Sequence, residues 1–294
     1  WQGGVCCPKC RSAQVIQRGK DDTEVYRQRY QCKTCNAHFD DLTDTIFAGH
    51  HQPLRVWILC LYWMGLNRSN RQIAQALELD DDDVQAMTTQ LRQGIVDDQP
   101  TVKLAGAVEC DEVYVTAGHK GNPDTVRKKG AKDDTIVSKG FAVGAPSKKR
   151  NRPFTLREAS YGMIQRGGAV VIRMLENVQQ TTIAPLIKAT LALGTQVYTD
   201  EYAIYTPLAD WGYAHKTVCH GAGEYARDDD GDGFCEVHVN TMEGFWSLLR
   251  SWLRPHRGIS QEKLPLYLGF FEFVHNAKKR GKALLTALLE NLLA

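Results

Sequence analysis

Val108-Glu-Cys-Asp-Glu-Val-Tyr-Val115 has the apolar, β-branched character of a strand, yet it carries Asp111 at its centre. A carboxylate in such a strand costs stability unless it is paired or bound to metal. Outward from this stretch, residues 169–175 read as a second strand, 181–193 as a helix, and 196–199 as a short buried strand that ends on Asp200. Helices follow at about 201–210, 241–253 and 262–292. Strands alternating with helices predict an α/β domain over 103–294. Residues 116–158, rich in Gly, Lys and Arg and lacking periodicity, read as a basic insertion within it.

Asp200 sits at the carboxyl end of its strand, where α/β sheets commonly place their sites. On the helix starting near Thr241, Met242, Phe245, Leu249 and Leu253 form one stripe, while Asn240, Glu243, Ser247 and Arg250 share another. Three carboxylates from two strands and a helix, Asp111, Asp200 and Glu243, can hold two Mg²⁺ or Mn²⁺ ions in the arrangement that cleaves phosphodiesters. Plainer roles exist for two of them. Asp200 can cap a following helix, and Asn240-Thr-Met-Glu243 has the spacing of a capping box. The ordered set, with the cation Arg250 seven residues beyond Glu243, favours the catalytic reading.

Toward the amino end, residues 1–45 contain Cys7-Pro-Lys-Cys10 and Cys32-Lys-Thr-Cys35, with Cys6 as a possible substitute for Cys7. Between the pairs, 25–31 alternates as a strand bearing Arg27 and Arg29 on one face. Two such knuckles joined by a hairpin place four thiolates about one structural zinc ion, which a segment so poor in apolar surface needs in order to fold. In 46–102, Leu54, Trp57, Ile58, Leu61 and Tyr62 mark one amphipathic helix, 70–77 a second, and Val84, Met87 and Leu91 a third. Three helices with a tight last turn have the form of a helix-turn-helix. The acidic run 80–83 makes Arg68, Arg71 and Arg92 the better DNA contacts, and a structural or dimerising role is the alternative.

The chain has 294 residues, 43% of them hydrophobic and 24% charged, and a net charge of only +2. The charge is unevenly spread. Residues 119–157 hold eleven Lys and Arg against three acids, and 250–282 eight against two, which suits surfaces that meet a polyanion. Arg127, Lys128, Lys129, Arg250 and Arg254 are therefore candidate DNA contacts beside Arg27, Arg29 and Arg71. Nine cysteines, four of them at metal-site spacing, fit a reducing compartment better than a disulfide framework. No apolar run is long enough to cross a bilayer and no signal-peptide pattern opens the chain, so a soluble intracellular protein without a membrane partner is expected. The run Asp228-Asp-Asp-Gly-Asp-Gly233 imitates the start of a calcium loop but has Val239 where the last ligand belongs. Cys219-His220 and Cys235-x-x-His238 offer a weaker second zinc pattern.

The segments around Asp111, Tyr198-Thr-Asp-Glu-Tyr202 and His238-Val-Asn-Thr-Met-Glu-Gly-Phe-Trp-Ser-Leu-Leu-Arg250 resemble the three catalytic blocks of insertion-sequence DDE transposases related to eukaryotic Merlin elements. Tyr30-Gln-Cys-Lys-Thr-Cys35 is similar to that family's ribbon, and His220 with Gly223-Glu-Tyr225 to the segment before its last block. The resemblance implies a ribonuclease-H-like catalytic domain and binding to double-stranded DNA at terminal inverted repeats and at the target. It also implies cleavage and strand transfer without a covalent enzyme intermediate, by a homodimer or larger homo-oligomer on DNA. In that family the third site residue is sometimes assigned to the Asn of the N-x-x-E pattern, which sets Asn240 against Glu243. The long basic insertion and the acidic run depart from the pattern. A domesticated, non-cleaving DNA-binding regulator is the alternative function, and an enzyme acting on RNA shares the same core. The expected location is the nucleoid-bearing cytoplasm of a bacterium or the nucleus of a eukaryote.

Overall fold

A computed structural model describes residues 4–49, 52–117, 156–279 and 283–292. They form two compact units, residues 1–99 with 283–294, and residues 100–282.

The first unit begins with an antiparallel sheet of β1 (Val15–Lys20), β2 (Gln28–Cys32) and β3 (His38–Asp40). The strand expected from residue 25 starts only at Gln28. Asp21 Oδ1 accepts the backbone N–H groups of Thr23 (3.0 Å) and Glu24 (3.1 Å), and this turn chemistry withdraws the preceding residues from the ladder. A small core of Cys7, Cys32, Tyr30 and Phe39 backs the sheet, the two rings stacked at 5.4 Å.

Helices α1 (Leu54–Gly65), α2 (Asn70–Leu77) and α3 (Asp81–Asp97) follow. Ser69 and Gln72 close a capping box at the start of α2, and α3 buries Val84, Met87, Leu91 and Ile95 as its periodicity requires. In α1 the buried face is Trp57, Cys60, Leu61 and Met64, while Tyr62 is left exposed. That face differs from the expected stripe because α2, α3 and a distant segment select it. The segment is α7 (Leu284–Leu292), which packs on α1 and α3, buries Ala287, Leu288 and Leu292, and donates from Asn291 Nδ2 to the Ile95 carbonyl at 3.3 Å. The single helix expected over 262–292 is thus two, α6 (Leu264–Lys279) in the second unit and α7 in the first. Arg92, expected on a DNA-facing surface, is buried and donates to the Thr88 carbonyl at 3.3 Å.

The second unit is a mixed α/β fold around a five-stranded sheet of order β6-β5-β4-β7-β8, comprising β4 (Ala107–Ala117), β5 (Leu156–Gln165), β6 (Val170–Met174), β7 (Gln196–Thr199) and β8 (Ala214–Thr217). β4 pairs antiparallel with β5 and parallel with β7, which pairs parallel with β8; this is a ribonuclease-H-like arrangement. β5 and β8 escaped the sequence reading, and the ends of the expected insertion, 116–117 and 156–158, belong to β4 and β5. β5 is hard to see because Ser160 and Gly162 interrupt its apolar pattern, and β8 because Ala-His-Lys-Thr is short and polar.

One face of the sheet packs Val108, Cys110, Tyr161 and Met163 against α4 (Gln180–Thr190) and the 3₁₀ helix Ala203–Leu208, a single turn type where a longer helix was expected. The other face packs Val113, Val115 and Ile172 against α5 (Asn240–Leu253) and α6. The outer edge of β6 is covered by α6: Asn276 Oδ1 accepts Val170 N–H at 2.8 Å while its amide donates back to the Val170 carbonyl at 2.8 Å, and Glu272 accepts Ile172 N–H at 2.7 Å. Two short strands, β9 (Ala226–Arg227) and β10 (Val237–His238), precede α5. Among the described residues no helix is long and apolar enough to cross a membrane.

Candidate functional site

Asp111 lies in the middle of β4, opposite Gly162 of β5, on the face that receives α5. Burial pushes its carboxyl up to about 6, and the charges of Asp200 and Glu243 push the same way. The indole N–H of Trp246, donating to Oδ2 at 2.9 Å, opposes them by favouring the ion. Asp200 follows the last residue of β7; burial raises its carboxyl too, against a 3.1 Å hydrogen bond from Tyr202 N–H. It does not cap an α-helix, since Tyr202 holds the N-cap of the 3₁₀ turn that follows.

Glu243 is exposed in the first turn of α5, which buries Met242, Phe245, Trp246 and Leu249 while Asn240, Ser247 and Arg250 are exposed. The capping box weighed for Asn240 and Glu243 is not formed. Helix α5 starts at Asn240 with Val239 at the N-cap and no side-chain cap bond, and Met242 N–H instead donates to Glu109 Oε2 at 2.8 Å. Glu243 is therefore released from a capping duty, because a carboxylate from the sheet performs it. The three carboxylates share one electrostatic neighbourhood, although among the described residues their oxygens do not gather within the 4.8 Å that encloses the cysteine sulfurs. Two carboxyls raised by burial, Asp111 further by the charges of Asp200 and Glu243, beside an exposed third carboxylate are oxygen donors of the kind a hard divalent cation takes.

Three residues at this site escaped the sequence reading. Glu109 is fully buried two positions before Asp111 on the same strand face, so its alternation with Asp111 was the available signal. It pairs with Arg166 Nε at 2.7 Å. Glu112 faces the opposite side, where it accepts the Tyr205 hydroxyl and is pushed by burial up to about 8. Trp246 was visible only as a helix residue in the third block. His220, noted in the sequence, is close enough to Asp200 for its charge to act on that carboxyl. Its backbone N–H and that of Gly221 both donate to Glu201 at 2.9 Å, and its ring lies 5.2 Å from that of Tyr225.

In the first unit, Cys7, Cys10, Cys32 and Cys35 gather their sulfurs within 4.8 Å, with Cys7–Cys35 and Cys10–Cys32 each at 3.5 Å. Thiolates at a Zn–S distance of about 2.3 Å in a tetrahedron stand about 3.8 Å apart, so the cluster is capable of coordinating a metal ion in the manner of a zinc-binding module. N–H groups of Cys35 and Thr34 hold the Cys32 thiol down to about 6, favouring the ligating thiolate. Cys6 stays outside the group. Arg27 and Arg29 already pair with acids, Arg27 with Asp40 at 2.6 Å and Arg29 with Asp21 at 2.7 Å. Arg71, Arg250 and Arg254 are exposed, whereas Arg127, Lys128 and Lys129 lie outside the described residues.

Asp228, Asp230 and Glu236 also come within 4.8 Å. Their carboxylates are occupied by the loop's own N–H groups and by Lys216, which pairs with Glu236 at 3.0 Å. The second zinc pattern is not assembled among the described residues: His238 Nδ1 faces Arg166 Nη2 at 3.2 Å and accepts Asn240 N–H at 3.3 Å.

Residues 103–276 match the ISXO2-like transposase domain. An uncharacterized protein in the transposable element ISH50 of Halobacterium salinarum is 34% identical over 307 residues, which cover 100% of this chain and 93% of that protein. An uncharacterized transposase-like protein of Haemophilus influenzae is 28% identical over 105 residues, 35% of this chain and 77% of its own length. A crystal structure of a pre-cleavage Mos1 transpososome aligns with 83% of this chain and 80% of its own at 9% identity and a TM-score of 0.30, too distant to carry an argument.

Proposed function

Because the chain belongs to the ISXO2-like family of DDE-type insertion-sequence transposases, we propose that it binds the terminal inverted repeats of its own element and catalyses strand cleavage followed by strand transfer. The observation that carries this reading is Asp111, a carboxylate buried in the central strand and acted on by the charges of Asp200 and Glu243.

Asp111, Asp200 and Glu243 are the residues that would hold two Mg²⁺ or Mn²⁺ ions. Such a pair, when bound, activates a water or a 3′-hydroxyl and stabilises the departing oxygen of the phosphodiester. The rest is supplied by the chain. Trp246 orients Asp111 through its indole N–H, and the Tyr202 backbone orients Asp200. Glu243 and Asn240, about one turn apart at the start of α5, are both exposed and so within reach of a DNA strand in this reading. Glu243 is the stronger candidate for third ligand because it alone brings negative charge, and Asn240 is an accessory group.

In this reading the cysteine cluster holds one structural zinc ion and, with α2 and α3 acting as a helix-turn-helix, reads the element end, as in the Merlin-related lineage. Exposed Arg71, Arg250 and Arg254 contact phosphates, with Arg27, Arg29 and the insertion residues Arg127, Lys128 and Lys129 as further contacts. The working form is a homodimer or larger assembly, which lets two element ends react together.

The test is Mg²⁺-dependent nicking of a duplex carrying the element's own end. Asp111→Asn, Asp200→Asn and Glu243→Gln are expected to abolish nicking while end binding persists, and Asn240→Ala to reduce it. Full nicking by Asp111→Asn would overturn the metal mechanism. End binding by a wild-type protein that never nicks points to a domesticated regulator.

A further inference from the structure

The three carboxylate-bearing segments meet at one ion pair, of buried Glu109 with half-buried Arg166, that the proposed chemistry does not use. Arg166, in the turn after β5, directs every arm of its guanidinium at a different partner. Nε donates to Glu109 Oε1 at 2.7 Å, Nη1 to the Glu236 carbonyl at 2.7 Å and Nη2 to the His238 carbonyl at 2.8 Å. The plane of the cation lies over the Tyr198 ring, 4.0 Å from its centroid. Glu109 completes the arrangement by accepting Met242 N–H on its other oxygen at 2.8 Å. His238 Nδ1 closes the cluster, 3.2 Å from both Arg166 Nη2 and Glu109 Oε1 and 3.3 Å from the Asn240 N–H.

Each partner is a short step from a site carboxylate. Glu109 precedes Asp111 by two residues on β4, Tyr198 precedes Asp200 by two on β7, and Met242 is the residue before Glu243. We propose that the Arg166–Glu109 pair positions Asp111, Asp200 and Glu243, fixing the start of α5, the first half of β4 and the end of β7 relative to one another. A planar fork with several fixed donors can impose such a three-way geometry, whereas a lysine supplies one mobile point charge. A merely structural pair needs only to be neutralised, and one carboxylate with one cation does that without carbonyl ligands from β10 or an N–H from α5. The inference rests on reading the three carboxylates as a divalent-metal site.

The experiment counts bound Mn²⁺ on the full-length protein by the loss of the free-ion electron paramagnetic resonance signal, and follows amide exchange at Met242 and Glu243. Sites lost in Asp111→Asn define the centre of interest. Arg166→Lys, which retains the charge opposite Glu109, is expected to weaken Mn²⁺ binding there at least tenfold and to speed exchange at Met242 at least tenfold. Binding to element-end DNA without added divalent ions should change less than twofold. Glu109→Gln combined with Arg166→Met removes both charges at similar volume, and the same two effects are expected. This pair is decisive if Arg166→Lys does not fold. Unchanged Mn²⁺ affinity with unchanged exchange in a folded variant overturns the proposal. If wild-type protein binds no Mn²⁺ at the centre, the metal reading fails instead, and the exchange rates alone judge the positioning role: accelerated exchange supports it, unaltered exchange overturns it.

Discussion

At Gly162 a single hydrogen decides whether the site forms. A methyl group there would land on Met242 Cε and the Trp246 ring, so only glycine opposite Asp111 lets α5 approach the sheet closely enough for the indole to reach that carboxylate. Gly162→Ala is expected to cost about 1–3 kcal/mol by overpacking and to suppress nicking more than end binding, measured by thermal melting beside the two DNA assays. A variant with unimpaired nicking would show that the Trp246–Asp111 bond is dispensable. Glu112 makes a different test. Its folded pKa of about 8 exceeds the ordinary 4.5, so the folded state holds a proton that the unfolded chain has released. The associated stability is complete below about 4.5 and disappears as pH rises through about 8. Asp111 adds the same sign over a lower window that closes at about 6. Glu112→Gln keeps an acceptor for the Tyr205 hydroxyl and removes the titration. Unfolding by denaturant should then be less pH-dependent between pH 6 and 9, with the variant more stable than wild type at pH 9 by on the order of 2 kcal/mol. Equal slopes in the two proteins would contradict the assignment.

Among the elements, the cysteine-bearing sheet and α5 depend on partners to different degrees. Among the described residues β1 to β3 enclose a core of four buried residues, two of them cysteines of the cluster, so little but a metal ion held by that cluster could offset the entropy of folding the segment. Chelating the metal, or Cys32→Ser, is expected to release the ribbon and weaken end binding at least tenfold while the melting of residues 100–282 is unaffected. Zinc-free protein by elemental analysis that still binds its end would reject the assignment. Helix α5 has a strong apolar stripe of its own, and its burial follows that stripe. Its first turn is another matter, because the capping chemistry visible in Asn240 and Glu243 is displaced by Glu109 from 133 residues away. Local spacing states which bonds are available, and burial on the sheet selects among them.

At the scale of the whole molecule, Lys216 and Arg227 are half-buried in ion pairs with neighbouring acids, whereas the arginines at the end of α5 are exposed. Arg250, Arg254 and Arg257 are all exposed at the end of α5 and just beyond it. Replacing all three with Ser is expected to lower the slope of log affinity against log salt by about 0.9 for each phosphate contact removed, so by up to about 2.7, in end-binding titrations. An unchanged slope would return them to a solvated face. The amino-acid sequence by itself determined the α/β alternation, the four-thiolate knuckles, the periods of α2, α3 and α5, and the candidates Asp111, Asp200 and Glu243, because spacing along the chain is what sets a strand face, a helix stripe or a metal ligand pair. Only tertiary structure decided that β5 and β8 are strands, that Arg92 is buried, that 264–292 divides into α6 and α7 in separate units, and that Glu109 pairs with Arg166 and accepts the Met242 N–H. Those outcomes depend on neighbours supplied from far along the chain, whose hydrogen bonds and buried surface outweigh weak local preferences.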